Sequence, residues 1–90
     1  MQIRWSDEKN IILKKTRDVC FEDVENAVLH DQILDIIPHH NQEKYAHQEL
    51  MIVKIRGYTY YVPFVMNEEE IFLKNIIPSR KYHKIYGKEQ

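Results

Sequence analysis

Five histidines are the side chains of this sequence best suited to proton transfer or metal binding: His30, His39, His40, His47 and His83. Imidazole titrates near neutral pH, and its nitrogen atoms are common zinc ligands. No cysteine pair and no two-histidine helical spacing accompanies them, and the closest pair falls in a predicted loop. The sequence therefore predicts no metal site and no cofactor.

Motifs of several enzyme classes are missing from the sequence. It contains no glycine-rich phosphate loop and no nucleophile elbow, and its single cysteine, Cys20, stands beside Phe21 at a predicted helix start. Nucleotide hydrolysis and thiol catalysis therefore lack support. One cysteine also excludes an internal disulfide, and no segment resembles a secretion signal or approaches the roughly 18 apolar residues of a membrane span. These features favour a cytoplasmic protein without a membrane partner.

Charge is distributed unevenly along the chain, although the formal net charge is only −1. Residues 1–70 contain eight Lys and Arg against thirteen Asp and Glu, whereas residues 71–90 contain five against one. A polyanion such as nucleic acid would dock at the basic end. A basic tail that only promotes solubility is the open alternative.

The elements that position these groups form one domain, residues 1–90, because a chain of this length seldom divides into two cores. An opening strand is predicted around Ile3, and Ser6 or Asp7 can cap a first helix that carries Ile11 and Ile12. A second helix is marked by apolar residues at spacings of three and four: Phe21, Val24, Ala27 and Val28.

The rest of the chain reads as strands followed by a short C-terminal helix, which Ser79 can cap. The runs rich in β-branched and aromatic residues are Ile33–Pro38, Leu50–Arg56, Tyr58–Val65 and Ile71–Ile77. The predicted fold class is α+β. Two N-terminal helices pack on an antiparallel sheet in the order β-α-α-β-β-β, and the short C-terminal helix follows.

A tight hairpin at Arg56-Gly57 assigns side chains to the two faces of this sheet. Pairing across the turn places Ile55, Val53 and Met51 opposite Tyr58, Tyr60 and Val62, which makes one face apolar and able to receive the two helices. The other face carries Lys54, Arg56, Thr59 and Tyr61. The sequence predicts that this face remains a partly open basic groove beside the C-terminal helix.

Both ends of the chain resemble one family of small bacterial proteins. The run Ile71–Lys81, followed by Tyr86, resembles the last strand and C-terminal helix of BrnT-type toxins, which belong to the wider RelE/ParE superfamily. Trp5 and the segment Asp7–Asn10 resemble the W-D-x-x-K-N start of that family, and Val19–Val24 resembles its G-V-S-F-E-E-A helix start.

The chain departs from the family pattern at three places. Asp18 replaces the usual glycine, Cys20 replaces a serine, and the loop His39–Tyr45 fits a divergent branch. The resemblance implies a RelE-like fold and a metal-independent endoribonuclease that stops translation. It also implies a cognate antitoxin, encoded nearby and able to bind DNA as a repressor, with which the toxin forms a hetero-oligomer.

The resemblance also gives roles to particular residues, because metal-free RNA cleavage needs a base, an acid and cations beside the phosphate. Arg80 and Lys74 would stabilise the phosphate, and His47 or His83 would transfer protons, with a lysine or Tyr86 as alternatives. The residues expected to contact RNA elsewhere are Lys54, Arg56, Tyr61, Lys81, Lys84 and Tyr86.

Two other functions remain open at this point. A ParE-like toxin would inhibit a protein target such as DNA gyrase, and a regulatory module would only bind the antitoxin and modulate its DNA binding. Both predict that the purified protein leaves RNA intact. The set of His, Lys and Arg on the expected groove and terminal helix favours the ribonuclease, because a pure binding module does not need it.

Overall fold

Three helices and six strands form the part of the chain that the computed structural model describes, residues 2–87. In order they are β1 (Gln2–Arg4), α1 (Asp7–Arg17), α2 (Phe21–Leu29), β2 (Ile33–Pro38), β3 (Glu49–Ile55), β4 (Tyr58–Met66), β5 (Glu70–Leu73), β6 (Ile77–Pro78) and α3 (Arg80–Tyr86). The predicted α+β class is confirmed. Five strands follow α2, so the predicted order, which has three, and the four predicted strand runs both contain too few.

Helix α1 begins and ends at residues with clear capping geometry. The Ser6 hydroxyl accepts a hydrogen bond from the Lys9 N–H at 3.2 Å, as expected of an N-cap serine. The helix ends at Asp18, whose φ of 56° lies in the left-handed region. Ile11 and Ile12 of this helix are exposed, and Leu13 is its buried apolar side chain.

Cys20 is the N-cap of helix α2, where the sequence predicted a helix start. The Asp23 carboxylate accepts the Cys20 backbone N–H at 3.0 Å, which is half of a capping box. Phe21 is completely buried, and its ring stacks on Trp5 at 5.7 Å between centroids. Its N–H also donates to the Asn10 side-chain oxygen at 2.7 Å, so a polar contact joins α1 to α2.

The sheet has the strand order β1-β5-β4-β3-β2, and β6 pairs with β4. Strands β2 to β6 pair antiparallel, but β1 runs parallel to β5, so the predicted antiparallel sheet is in fact mixed. The predicted register between β3 and β4 is confirmed, including Val53 opposite Tyr60. Arg56 and Gly57 form the turn with φ values of 48° and 85°, as a primed two-residue hairpin requires.

The predicted strand Ile71–Ile77 is interrupted by a β-bulge. Leu73 pairs with Phe64 and Ile77 pairs with Tyr61, so three residues of this segment face only two of β4. Pro63 lies opposite the bulge, and its carbonyl accepts the Lys74 N–H at 2.8 Å. A proline lacks the N–H that a regular ladder needs on this edge, which gives the bulge its physical reason.

Two apolar clusters lie on opposite faces of the sheet. Phe21 and Val24 of the N-terminal helices pack with Val53, Val62 and their neighbours, as the sequence predicted. On the other face, Tyr82 of α3 packs with Leu50 and Ile52, both fully buried. The expectation of an open face is therefore wrong in this half of the sheet, because alternate β3 positions are apolar and require a cover.

Candidate functional site

A cleft of about 400 Å³ opens where the β-bulge, β4 and the connection from β2 to β3 meet. Its lining residues are His39, His40, Tyr45, Gln48, Tyr61, Pro63, Lys74, Asn75 and Ile77. Among these described residues Lys74 brings a formal positive charge, and none is a carboxylate. The cleft therefore combines imidazoles, aromatic rings and a cation in surroundings that suit an anion.

The connection between β2 and β3 folds around one asparagine. The Asn41 carbonyl accepts the Tyr45 N–H at 2.9 Å, and the Asn41 side-chain oxygen accepts the Lys44 N–H at 3.2 Å. At its ends, the His39 N–H donates to the Gln48 carbonyl at 3.3 Å. These bonds fold the segment back over the end of the sheet and bring its aromatic side chains to the cleft.

His39 is a buried histidine, with 7% of its surface exposed. Its Nδ1 accepts the Asn41 backbone N–H at 3.0 Å, so the neutral ring carries its proton on Nε2. Burial, and then the neighbouring His40, lower the pKa of His39 below its usual 6.5. The geometry thus holds His39 neutral, and its ring packs 4.5 Å from that of Tyr45.

This neutral histidine predicts a loss of stability in mild acid. Because the folded pKa of His39 is depressed, its contribution to stability is present above pH 6.5 and is lost as the pH falls below that value towards the folded pKa. Denaturant unfolding between pH 7.5 and 5 should therefore show a smaller decline for His39→Gln than for the wild type. Equal declines in the two proteins would contradict the assignment.

His40 and Tyr61 are the aromatic side chains at the open side of the cleft. His40 is exposed, and its ring meets the Tyr61 ring edge-on at 5.4 Å between centroids. Burial, and then Tyr82, raise the pKa of Tyr61, while the positive charge of Arg17 opposes that rise. At neutral pH Tyr61 therefore remains a protonated phenol, and His40 is the lining imidazole that solvent reaches.

Lys74 is one of two predicted site residues that the structure places in the cleft, and Tyr61 is the other. The Lys74 ammonium lies 5.2 Å from the centroid of the Phe72 ring, and the Lys74 backbone N–H donates to the Pro63 carbonyl. The side chain is exposed. The bulge thus places at the cleft an exposed cation that forms no ion pair with a described residue, which suits contact with a phosphate.

The two histidines predicted to transfer protons lie outside the cleft. His47 is exposed in the connection between β2 and β3, but it does not line the cleft. His83 of α3 lies 2.9 Å from the Thr59 hydroxyl and stacks on Tyr58 at 4.3 Å between ring centroids. His83 and Tyr58 therefore fasten α3 to β4, which also corrects the expectation that Tyr58 packs against the N-terminal helices.

Lys54 and Arg56 do not form the basic groove that the sequence predicted. The Lys54 ammonium donates to the carbonyl of Gly87 at 3.1 Å, where it satisfies an acceptor at the end of α3. Arg56 forms an ion pair with Asp23 at 3.3 Å and a hydrogen bond to the Asp18 carbonyl. Both cations have structural partners because the hairpin end reaches two helix termini.

The predicted site residues of α3 fall into two groups. Tyr86 donates its hydroxyl hydrogen to the Asp35 carboxylate at 2.6 Å, and this bond raises the pKa of Tyr86. The Lys81 ammonium lies 5.4 Å over the Tyr82 ring. Arg80 and Lys84 are exposed and do not line the cleft, although Arg80 follows the cleft residue Ile77 by three positions.

No family model, curated protein or solved structure matches this chain. The chemistry of the cleft therefore rests on its own residues. Within residues 2–87, no group of three or more His, Cys, Asp or Glu side chains is placed to hold a metal ion. No helix in this range is long and apolar enough to cross a membrane.

Sequence reasoning missed seven cleft residues: His39, His40, Tyr45, Gln48, Pro63, Asn75 and Ile77. A signal existed for the first three, because adjacent histidines and a tyrosine occur in one polar connection between strands. For Asn75 the signal was a proline inside a predicted central strand, which indicates a bulge in the facing segment. Neither signal indicates that the connection between β2 and β3 lies beside the bulge in the folded chain.

Proposed function

We propose that this chain is the toxin of a bacterial toxin–antitoxin pair, has a RelE-like fold and cleaves RNA in the cleft beside the β-bulge. One observation carries the proposal: an accessible imidazole, an ammonium and two tyrosine rings line one cleft that contains no carboxylate among the described residues. The residues are His40, Lys74, Tyr45 and Tyr61. The resemblance of both chain ends to BrnT-type toxins supplies the biological class.

The cleft offers the groups that cleavage by the neighbouring 2′-hydroxyl requires. His40 takes the proton of the 2′-hydroxyl, whose oxygen attacks the phosphorus and forms a cyclic phosphate. Lys74 stabilises the additional negative charge on the phosphate oxygens. The bond to the 5′-oxygen breaks, and this oxygen leaves with a proton from the protonated imidazole or from water.

The aromatic rings of the cleft suit a single-stranded substrate. Tyr61 and Tyr45 present partly exposed rings beside His40, and unstacked bases bind to such rings in a sequence-tolerant way. A base-paired helix keeps its base faces inside the stack. We therefore expect unpaired RNA to be the better substrate.

The proposed antitoxin would cover this cleft. A carboxylate-bearing segment would pair with Lys74 and with the exposed cations of α3, such as Arg80 and Lys84. Such a cover would prevent indiscriminate contact with cellular RNA. Co-expression with the neighbouring small gene should relieve the growth arrest that the toxin causes, and persistent arrest would contradict this part of the proposal.

The deciding experiment incubates the purified full chain with an unstructured RNA, with and without EDTA. We expect cleavage in both samples and a cyclic phosphate at the new 3′ end. Intact RNA would overturn the ribonuclease, and growth arrest together with inhibition of DNA gyrase would then support the ParE-like alternative. Loss of cleavage in EDTA would overturn the metal-independent mechanism.

The sequence-derived role of Arg80 gives a separate prediction. Arg80→Ala should abolish growth arrest and RNA cleavage without changing the melting temperature, because an exposed charge contributes little to stability. Lys81→Ala removes a charge from the same helix turn, and its effect should be clearly smaller. Full activity of Arg80→Ala would show that RNA cleavage does not depend on this residue.

A further inference from the structure

We propose that Asn75 binds the phosphate of the substrate through its side-chain amide, and that Arg17 positions it from the end of α1. This inference rests on the proposed function and adds two residues to the same site. Asn75 lines the cleft directly after Lys74. The two consecutive residues of the bulge would thus act together on one phosphate.

The hydrogen bonds around Asn75 determine the orientation of its amide. Its Oδ1 accepts the Ile76 backbone N–H at 2.8 Å and an N–H of the Arg17 guanidinium at 3.3 Å. Two donors on one atom identify that atom as the oxygen. The amide nitrogen Nδ2 therefore points away from these two donors.

The Nδ2 of Asn75 is open to a ligand. Asn75 is half-buried, and no described residue accepts a hydrogen bond from its Nδ2. The described residues also contain no buried side-chain nitrogen or oxygen without a partner, so this nitrogen has to reach solvent. An accessible amide with a fixed orientation beside an ammonium is a donor pair for phosphate oxygens.

Arg17, the last residue of α1, holds the bulge through two hydrogen bonds. Besides its bond to Asn75, the guanidinium donates to the Ile76 carbonyl at 2.6 Å. Among the described residues, Arg4 and Arg56 form ion pairs with carboxylates, whereas the hydrogen bonds of Arg17 go to neutral oxygens. A bulge is a locally irregular segment, and a charged donor on two of its oxygens fixes its shape.

The Asn75→Asp variant tests the phosphate contact. It preserves size and both bonds to Oδ1, and it converts the Arg17 contact into an ion pair, so the fold should be retained. The donor Nδ2 becomes a negatively charged acceptor, which should weaken binding of a non-cleavable 2′-O-methyl RNA oligonucleotide by about ten- to a hundredfold at low salt.

A matched control exists at another turn. The Asn67 side-chain oxygen accepts the N–H groups of Glu69 and Glu70 at 2.8 and 2.9 Å, so Asn67→Asp makes the same change in a similar turn. Asn67 does not line the cleft. Its variant should bind the oligonucleotide as the wild type does, and an equal loss in both variants would show a general charge effect and overturn the inference.

Arg17→Met tests positioning separately from contact. If Arg17 acts through Asn75, the double variant of Arg17→Met with Asn75→Ala should lose no more affinity than Asn75→Ala alone. The slope of affinity against salt should also remain unchanged, because loss of a direct phosphate contact would lower it by about 0.7. Additive losses, or a lower slope, would overturn the positioning role.

The outcomes separate this inference from the proposed function. Wild-type cleavage with unimpaired Asn75→Asp would overturn the inference alone. Oligonucleotide binding that Asn75→Asp abolishes, without any cleavage by the wild type, would support the phosphate site and overturn the ribonuclease. A wild type that does not bind the oligonucleotide would overturn both.

Discussion

Replacement of Lys74 by methionine should lower the rate of RNA cleavage by about 100- to 1,000-fold, the usual effect of removing one group that stabilises charge in the transition state. Methionine keeps an apolar stem over the Phe72 ring, where the ammonium now lies 5.2 Å from the centroid. Because Lys74 is exposed, the free energy of unfolding should change by less than about 0.5 kcal/mol. Single-turnover cleavage and denaturant unfolding measure the two quantities.

Lys15→Met provides the matched control for this prediction. Lys15 is also exposed, lies on α1 and does not line the cleft. Its variant has the same change of charge and should cleave at the wild-type rate. Equal rates for wild type and Lys74→Met would remove Lys74 from the site, and equal losses in both variants would assign the effect to net charge.

Phe21→Ala should produce the largest loss of stability among single substitutions considered for this fold. Its ring is completely buried at the start of α2 and stacks on Trp5. Truncation of a buried phenylalanine typically costs about 3–5 kcal/mol, out of a total stability of about 5–15 kcal/mol. The melting temperature should fall by more than about 10 °C.

The exposed Ile12 is a suitable comparison for Phe21. It lies on α1 with 49% of its surface accessible, so Ile12→Ala removes little buried surface and even improves helix propensity. Its melting temperature should remain close to that of the wild type. A small shift for Phe21→Ala would show that the two helices do not depend on this ring.

The helix ends and the central hairpin could be predicted because each depends on neighbours in the sequence. Cys20 and Asp23 are three residues apart, which is the spacing of a capping box. Arg56 and Gly57 separate two alternating runs, and their turn fixes the register of β3 and β4. The observed ends of β3 and β4 differ from the predicted ends by one residue at most.

Apolar periodicity was less informative where both faces of an element are partly apolar. On α1 three apolar residues are consecutive, and only Leu13 is buried whereas Ile11 and Ile12 are exposed. On β3 the alternation gave one apolar face correctly and hid a second, formed by Leu50 and Ile52. The cation Lys54 suggested that the second face is open. Its long side chain instead reaches a distant backbone carbonyl and forms a hydrogen bond there.

The sequence by itself determined the α+β class, the capped helices, the β3–β4 register and two residues of the cleft, Lys74 and Tyr61. Only the tertiary structure decided that β1 joins β5 in parallel and that His40 and the bulge residue Asn75 line the same cleft. Local signals act over a few residues and leave long-range pairing open. The cleft joins three segments that lie more than ten residues apart along the chain, so its composition depends on the complete sheet.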